Sequence, residues 1–354
     1  MKILHQTGNS RLAVEEVPTP TPRPGEVLIQ TAVSALCGSE MSAYRGADGL
    51  PYGNMGHEAA GVVVAFGPGA DTVINPLTRT PLKVGDRVGV SAIAGWPGDD
   101  PTAPDPHFLA GRYTWCDRFT FHPNMHAEYF TVPAQACHVL PPDVTWEVGV
   151  LITGDGFGVP YHTSTKLARL ASPEEQPVVA VFGLGPIGLG NVLMQSYLGR
   201  RVIGIDRVAA RLDLALRLGA AHVLDAADET DLPAAIRRLT RGAGADIAIE
   251  AAGIPATARA CFASVRKGGA VVFNGEQPAL ELSPSEDFIR RDITAIGSWF
   301  YHFCEYPRML ELARNGPPIA SLITHRFPLT RAAEAYEAMS SGASGKVLFT
   351  HDHA

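Results

Sequence analysis

The chain has no long apolar run, no block of lysine or arginine, and five cysteines among its 354 residues. A membrane-spanning helix needs about 20 consecutive apolar residues, and no run reaches that length, so a membrane protein is not expected. Charged residues make up 18% of the chain and the formal net charge is -7. With no basic face to meet phosphates, a nucleic-acid partner is not expected either. The cysteines Cys37, Cys116, Cys137, Cys261 and Cys304 are odd in number and widely spaced, unlike a disulfide framework. Any cysteine with a function here is a ligand or a nucleophile. The opening MKILHQTGNSRLAVEEV lacks the apolar core of a signal peptide, which leads to the expectation of a cytoplasmic protein. What is present is 46% apolar residues, enough for sizeable cores, and a length beyond what one core usually supports. Two domains and a small-molecule partner are the expectation.

The texture changes along the chain. Up to about Pro142, short apolar stretches such as EVLIQTAVSA, AAGVVVAFG and AEYFTVPA are separated by Gly, Pro and Asp, as in an irregular, mostly β domain. From about Val178 to Ser298, strands alternate with helical segments, the mark of βαβ units in a doubly wound parallel sheet. The tail from Tyr301 holds two helices and a last strand, KVLFTH, and is expected to rejoin the first domain.

Directly after the strand VVAVF comes GLGPIG, opening a helical segment. Gly183 permits the tight turn, Gly185 lets the backbone approach a pyrophosphate, and Gly188 lets helix and strand pack closely. The pyrophosphate then meets the helix N-terminus at Pro186 and Ile187, where the free N–H groups, which begin at Ile187 since proline has none, and the helix dipole face its charge. Asp206 closes the next strand, RVIGID, where an acid binds the adenosine ribose 2′-hydroxyl. It would repel a 2′-phosphate, which favours NAD over NADP, although Arg207 and Arg211 beside it are able to accept a phosphate. Thr163, Asn274, Gly275 and the run Gly297–Phe300, with Ser298, are candidates beside the nicotinamide, because ligands sit at the carboxyl ends of such strands.

Ahead of this unit, CGSE at 37–40, GHE at 56–58 and GDG at 154–156 offer metal ligands. A catalytic zinc takes about three protein ligands and keeps one open position. Cys37, His57 and Asp155 supply a thiolate, an imidazole and a carboxylate, with Glu58 as a further ligand that comes and goes. Separations of 20 and 98 residues match no local zinc motif. Spacing alone leaves open whether these are ligands, or a buried thiol and a satisfied histidine.

In CGSE, GHEAAGVV, VGDRV, AEYFTVP, LPPDVTWEVG, GLGPIG and GKVLF, taken in order over nearly the whole chain, the sequence resembles the medium-chain dehydrogenase/reductase family. The likeness is to its zinc-containing alcohol, polyol and threonine dehydrogenase-like branch. The resemblance implies a GroES-like, mostly β catalytic domain over residues 1–157 and 301–354, and a Rossmann NAD-binding domain over 158–300. It implies that Cys37 and His57 bind one catalytic zinc, with Asp155, seven residues before His162, as the third ligand. Ser39 matches the hydroxyl that touches the substrate oxygen and passes its proton outward. The next relay position is Ser42 rather than the usual His, so His5, water or the ribose is left to complete the path. Glu40 is expected to orient a metal-bound imidazole or to pair with a cation, and His162 to be structural. Many relatives hold a second zinc with four cysteines; here Cys116 in GRYTWC stands with Thr102, Asp105 and Phe108, so no structural zinc is expected.

The reaction implied is hydride transfer between NAD and a secondary alcohol, polyol, sugar or amino alcohol. The pocket is expected among Tyr44, Trp96, Phe119, Phe157 and Trp299. The alternatives are a zinc-free quinone or enoyl reductase of the same fold, and a non-catalytic NAD-binding protein. A homodimer or homotetramer is expected from the resemblance alone.

Overall fold

The computed structural model describes residues 1–46, 53–75, 77–99, 103–170 and 176–351. The chain divides into two compact units.

The first unit comprises Met1–Gly158, Tyr301–Ser341 and Lys346–Ala354. Its axis is the strand Glu26–Leu36, EVLIQTAVSAL, whose β-branched and apolar residues suit a strand buried on both faces. It pairs antiparallel with Ala59–Phe66, with Tyr129–Pro133 along its first half, and with Lys346–Thr350 at its end. Arg87–Val90 and Cys137–Val139 extend the sheet on one side and Ile323–Pro328 on the other. Val27, Ile29, Val63, Val88, Phe130 and Val132 fill one core. Leu4, Leu36, Met41, Tyr336 and Phe349 fill a second, which includes residues of the helix Ala332–Ser340.

The antiparallel pairing has a direct consequence for function. Ser34 lies opposite Ala59, and Leu36 opposite Val347. Cys37, Glu58 and Lys346 therefore emerge at the same end of three adjacent strands. The helix Trp146–Thr153, capped by Thr145 Oγ, which accepts the Val148 N–H, ends at Gly154. The helix Asp155–Leu167 begins immediately after it, so Asp155 is its first residue.

The second unit comprises Val159–Phe300 with Gly342–Gly345. Its six strands are all parallel, in the spatial order His222–Asp225, Arg201–Asp206, Val178–Phe182, Ala245–Glu250, Val265–Phe273, Thr294–Gly297. The inner strands are near-continuous apolar runs because helices cover both faces of such a sheet; ADIAIE is buried at every position. The strand order reverses between Val178–Phe182 and Ala245–Glu250, and a doubly wound sheet binds its ligand at the carboxyl ends beside such a reversal. Among the described residues, no helix is long and apolar enough to cross a membrane.

Candidate metal and nucleotide sites

Cys37, His57, Glu58 and Asp155 come together in the first unit, with their ligand atoms all within 4.8 Å of one another. Among the described residues this is the group of His, Cys, Asp and Glu side chains arranged to hold a metal ion. The Cys37 thiol donates to Asp155 Oδ2 at 3.3 Å, and His57 Nε2 lies 3.2 Å from the same oxygen. His57 Nδ1 faces the Met55 carbonyl at 3.0 Å, which aims Nε2 at the cluster. Asp155 Oδ1 is buried without a hydrogen-bond partner, a cost that a native site tolerates where an ion or ligand belongs.

Glu58 is tied from two sides. One carboxylate oxygen pairs with the Lys346 ammonium, and the other accepts the Asp155 N–H at 3.0 Å. Gly154 permits this approach, since a Cβ there would run into the Glu58 carboxylate. Both members of the pair are fully enclosed. Against burial, Glu58, Cys37 and Asp155 hold the Lys346 ammonium above its usual range.

Burial, reinforced by Asp155, pushes the Cys37 thiol up. Although burial alone would lower it, bonds to Asp155 and Cys37 hold the His57 imidazolium well above the ordinary histidine range. Against burial, His57 holds the Asp155 carboxyl below its usual value. One sulfur, one nitrogen and one carboxylate oxygen make a donor set suited to zinc. The residues present fit the ion.

Of the two roles expected of Glu40, orienting His57 is not what the structure shows; its carboxylate pairs with His126 and accepts from the Cys37 N–H and Tyr336. Against burial, His126 holds the Glu40 carboxyl below its usual range. Ser39 is exposed at the start of the helix Glu40–Arg45 and makes no capping bond, so its hydroxyl is not engaged by the helix end. Ser42 is exposed, and His5 is paired with Glu15 at 3.1 Å. Phe157 is fully buried in its helix and Tyr44 packs on Tyr336, whereas Trp96, Phe119 and Trp299 are partly exposed. Lys346, His126 and Tyr336 were not foreseen. A lysine opening the apolar strand KVLFT is the one local signal that a buried anion awaited it. Phe121 was also missed, with its ring 5.1 Å from that of His57.

In the second unit, Gly183 adopts φ +86°, and Gly185 caps the helix Pro186–Tyr197 with Pro186 at its first position. Ile187 is half-buried in the first turn. Gly188 lies against the Gly183 carbonyl, where no side chain fits. Asp206 ends its strand and accepts the Leu184 N–H at 2.6 Å and the Val208 N–H at 3.0 Å, fastening the glycine loop. Arg211 lies 3.7 Å from the Asp206 carboxylate, and Arg207 offers its main-chain N–H to it. Asn274 and Ser298 are bonded to one another. Asn274 Nδ2 donates to Thr163 Oγ at 3.0 Å and to the Ser298 carbonyl at 2.8 Å, while its Oδ1 accepts from Asn191. The two residues expected beside the nicotinamide are thus held in an internal network.

Of the positions compared with a four-cysteine zinc site, Thr102 lies outside the described residues. Asp105 caps the short helix Pro106–Leu109, accepting from the N–H groups of His107, Phe108 and Asp117. Phe108 stacks on Tyr113 and Tyr113 on Phe303. Burial, with Asp105 nearby, pushes the Cys116 thiol up to about 11.

Residues 23–142 match the alcohol dehydrogenase GroES-like domain, and residues 186–315 match the zinc-binding dehydrogenase family. The chain is 30% identical to sorbitol dehydrogenase of Gallus gallus, over 99% of this chain and 96% of that protein. It is 32% identical to the uncharacterized zinc-type alcohol dehydrogenase-like protein YphC of Escherichia coli (strain K12), over 96% of each. Its structure superimposes on the alcohol dehydrogenase TADH from Thermus sp. ATN1 with a TM-score of 0.84, 25% identity and 99% coverage of both chains.

Proposed function

This chain belongs to the zinc-containing alcohol dehydrogenase branch of the medium-chain dehydrogenases, and on that premise we propose that it oxidises a secondary alcohol, polyol, sugar or amino alcohol with NAD as hydride acceptor. The observation that carries this reading is the convergence of the Cys37, His57, Glu58 and Asp155 ligand atoms within 4.8 Å of one another, with Cys37 and His57 both on Asp155 Oδ2 and the second oxygen, Oδ1, buried without a partner. The metal chemistry is assigned to residues 1–157 and 301–354, and nucleotide binding to 158–300.

Cys37, His57 and Asp155 would hold the zinc, with Glu58 as the alternate ligand. When bound, zinc supplies Lewis acidity that lowers the pKa of an alcohol hydroxyl. The chain's own residues position and move the proton. Ser39 Oγ accepts the proton leaving the substrate hydroxyl and passes it outward, as its exposure allows. The Lys346–Glu58 pair keeps a second carboxylate fixed beside Asp155. N–H groups of the glycine loop hold the pyrophosphate, and Asp206 takes the adenosine ribose 2′-hydroxyl.

Elemental analysis of purified protein, beside NAD reduction across secondary alcohols, polyols and amino alcohols, tests the reading. The expected result is about one zinc per chain and NADH formation with at least one class. Activity with no zinc overturns it in favour of the zinc-free reductase; zinc with no turnover of any class favours a non-catalytic protein. In the same preparation, light scattering is expected to give at least twice the chain mass. The edge strand Thr294–Gly297, largely exposed in a single chain, supports a homodimer or homotetramer. We place the enzyme in the cytoplasm, in keeping with five unpaired thiols, and cell fractionation checks this.

Asp206→Asn tests the nucleotide assignment. A hydrogen bond to a charged group contributes about 1.5–3 kcal/mol, so the KM for NAD should rise roughly tenfold or more while preference over NADP weakens. An unchanged KM for both nucleotides removes Asp206 from the site.

A further inference from the structure

We propose that His126 is a positioning residue for Cys37 and His57, acting on the first through Glu40 and on the second through Gly56. The inference rests on the metal reading above. His126 precedes the strand Tyr129–Pro133 and is completely buried. Its Nε2 donates to Glu40 Oε2 at 3.0 Å and its Nδ1 lies 2.9 Å from Ser34 Oγ, so both ring nitrogens are used. The other Glu40 oxygen accepts the Cys37 N–H at 2.9 Å. That amide belongs to the residue carrying the thiol, so the bond fixes the backbone from which Sγ projects. Tyr336 donates a further bond to Glu40 at 2.9 Å and receives one from Gln6 at 2.7 Å. The carboxylate therefore has little room to turn.

The second arm runs to His57. Gly56, the residue before it, packs directly on the His126 ring, where a Cβ would meet the imidazole atoms. Asn54 fastens the two segments together: its Oδ1 accepts the Gly56 N–H at 3.0 Å, and its Nδ2 donates to the His126 carbonyl at 2.9 Å. Phe349 closes on the His126 ring at 4.8 Å, with planes 74° apart. One imidazole thus touches the supports of two ligands that lie 20 residues apart in sequence. Groups of this kind, hydrogen-bonded behind the ligands, typically contribute 10–100-fold to metal affinity or activity.

The test uses the zinc-loaded protein and its cobalt(II)-substituted form. His126→Phe keeps a ring but deletes both nitrogens; His126→Asn stays polar but is too short to reach Glu40; His126→Gln restores a donor within reach. Zinc affinity is measured by competition with a chromophoric chelator, and ligand geometry by the thiolate-to-cobalt and d–d absorption bands. His126→Phe and His126→Asn are expected to weaken zinc about 10–100-fold and to shift the cobalt bands, and His126→Gln to recover a large part of the loss. Ile236→Val, a core change in the second unit, should leave affinity and bands unchanged. Wild-type affinity and bands in whichever deletion variant folds overturn the proposal, whatever happens to its Tm. Equal losses in His126→Gln and His126→Phe also overturn it, because the hydrogen bond would then not be the cause. A wild-type protein that binds neither ion overturns the metal reading itself, a failure visible without any variant.

Discussion

Asp155→Ala is expected to purify folded, to retain almost no zinc, and to lose alcohol oxidation. Asp155 Oδ2 is the atom that both His57 Nε2 and the Cys37 thiol approach, at 3.2 and 3.3 Å. Without it the site keeps one imidazole and one thiolate, fewer than the three protein ligands a catalytic zinc uses. Glu58 cannot fully replace it while it is held by Lys346. A metal acting as a Lewis acid contributes several kcal/mol at the transition state, and each 1.36 kcal/mol is tenfold in rate. The loss in kcat/KM should therefore reach about 10³-fold or more. The fold should survive, because Asp155 is the first residue of its helix, where the dipole interaction contributes only about 0.3–1 kcal/mol, and the buried His57 left without its partner sheds its proton instead of staying charged. Elemental analysis and initial rates decide it. Full zinc content with less than a tenfold loss would show that Asp155 is not a ligand.

Lys346→Met should be the most destabilising single change near the site. Its ammonium is 1% exposed and its partner Glu58 is wholly buried. Deleting the cation leaves a carboxylate enclosed by protein, with the Asp155 N–H as its remaining hydrogen bond. Breaking a buried pair from one side costs about 3–5 kcal/mol, because the surviving charge is left without compensation. Tm should fall by roughly 4–7 °C at this chain length. Measurements on zinc-free protein keep metal loss out of the comparison. Glu58→Gln should also destabilise, since it strands the ammonium. The double variant Lys346→Met/Glu58→Gln should recover most of the loss, a coupling that a double-mutant cycle reads directly. Additive effects, or a single variant within about 0.5 kcal/mol of wild type, would mean that the pair is solvated in solution.

The nucleotide half was the more legible in sequence. Strand, glycine loop, helix N-terminus and closing acid lie within one local unit, and each glycine answers a local steric demand: Gly183 needs its positive φ and Gly188 has no room for a side chain. The metal half was legible only as residue types. Cys37, His57 and Asp155 carry no spacing that joins them, and the family resemblance supplied what spacing could not. Asn274 and Ser298 follow strand ends, as expected, and the tertiary structure adds a hydrogen-bonded network with Thr163 that the order of residues does not show.

The sequence by itself determined the class of the chain, its alternating nucleotide unit, and the inventory of residue types from which one metal site is built. These depend on composition, on periodicity, and on groups a few residues apart. Only the tertiary structure decided that Glu58 meets Lys346 across 288 positions, that Glu40 braces Cys37 rather than His57, and that His126 stands behind both ligand segments. Such partners are fixed by antiparallel register, which brings the ends of distant strands together, and by the cost of enclosing a charge without a counter-charge. Neither leaves a local trace in the order of residues.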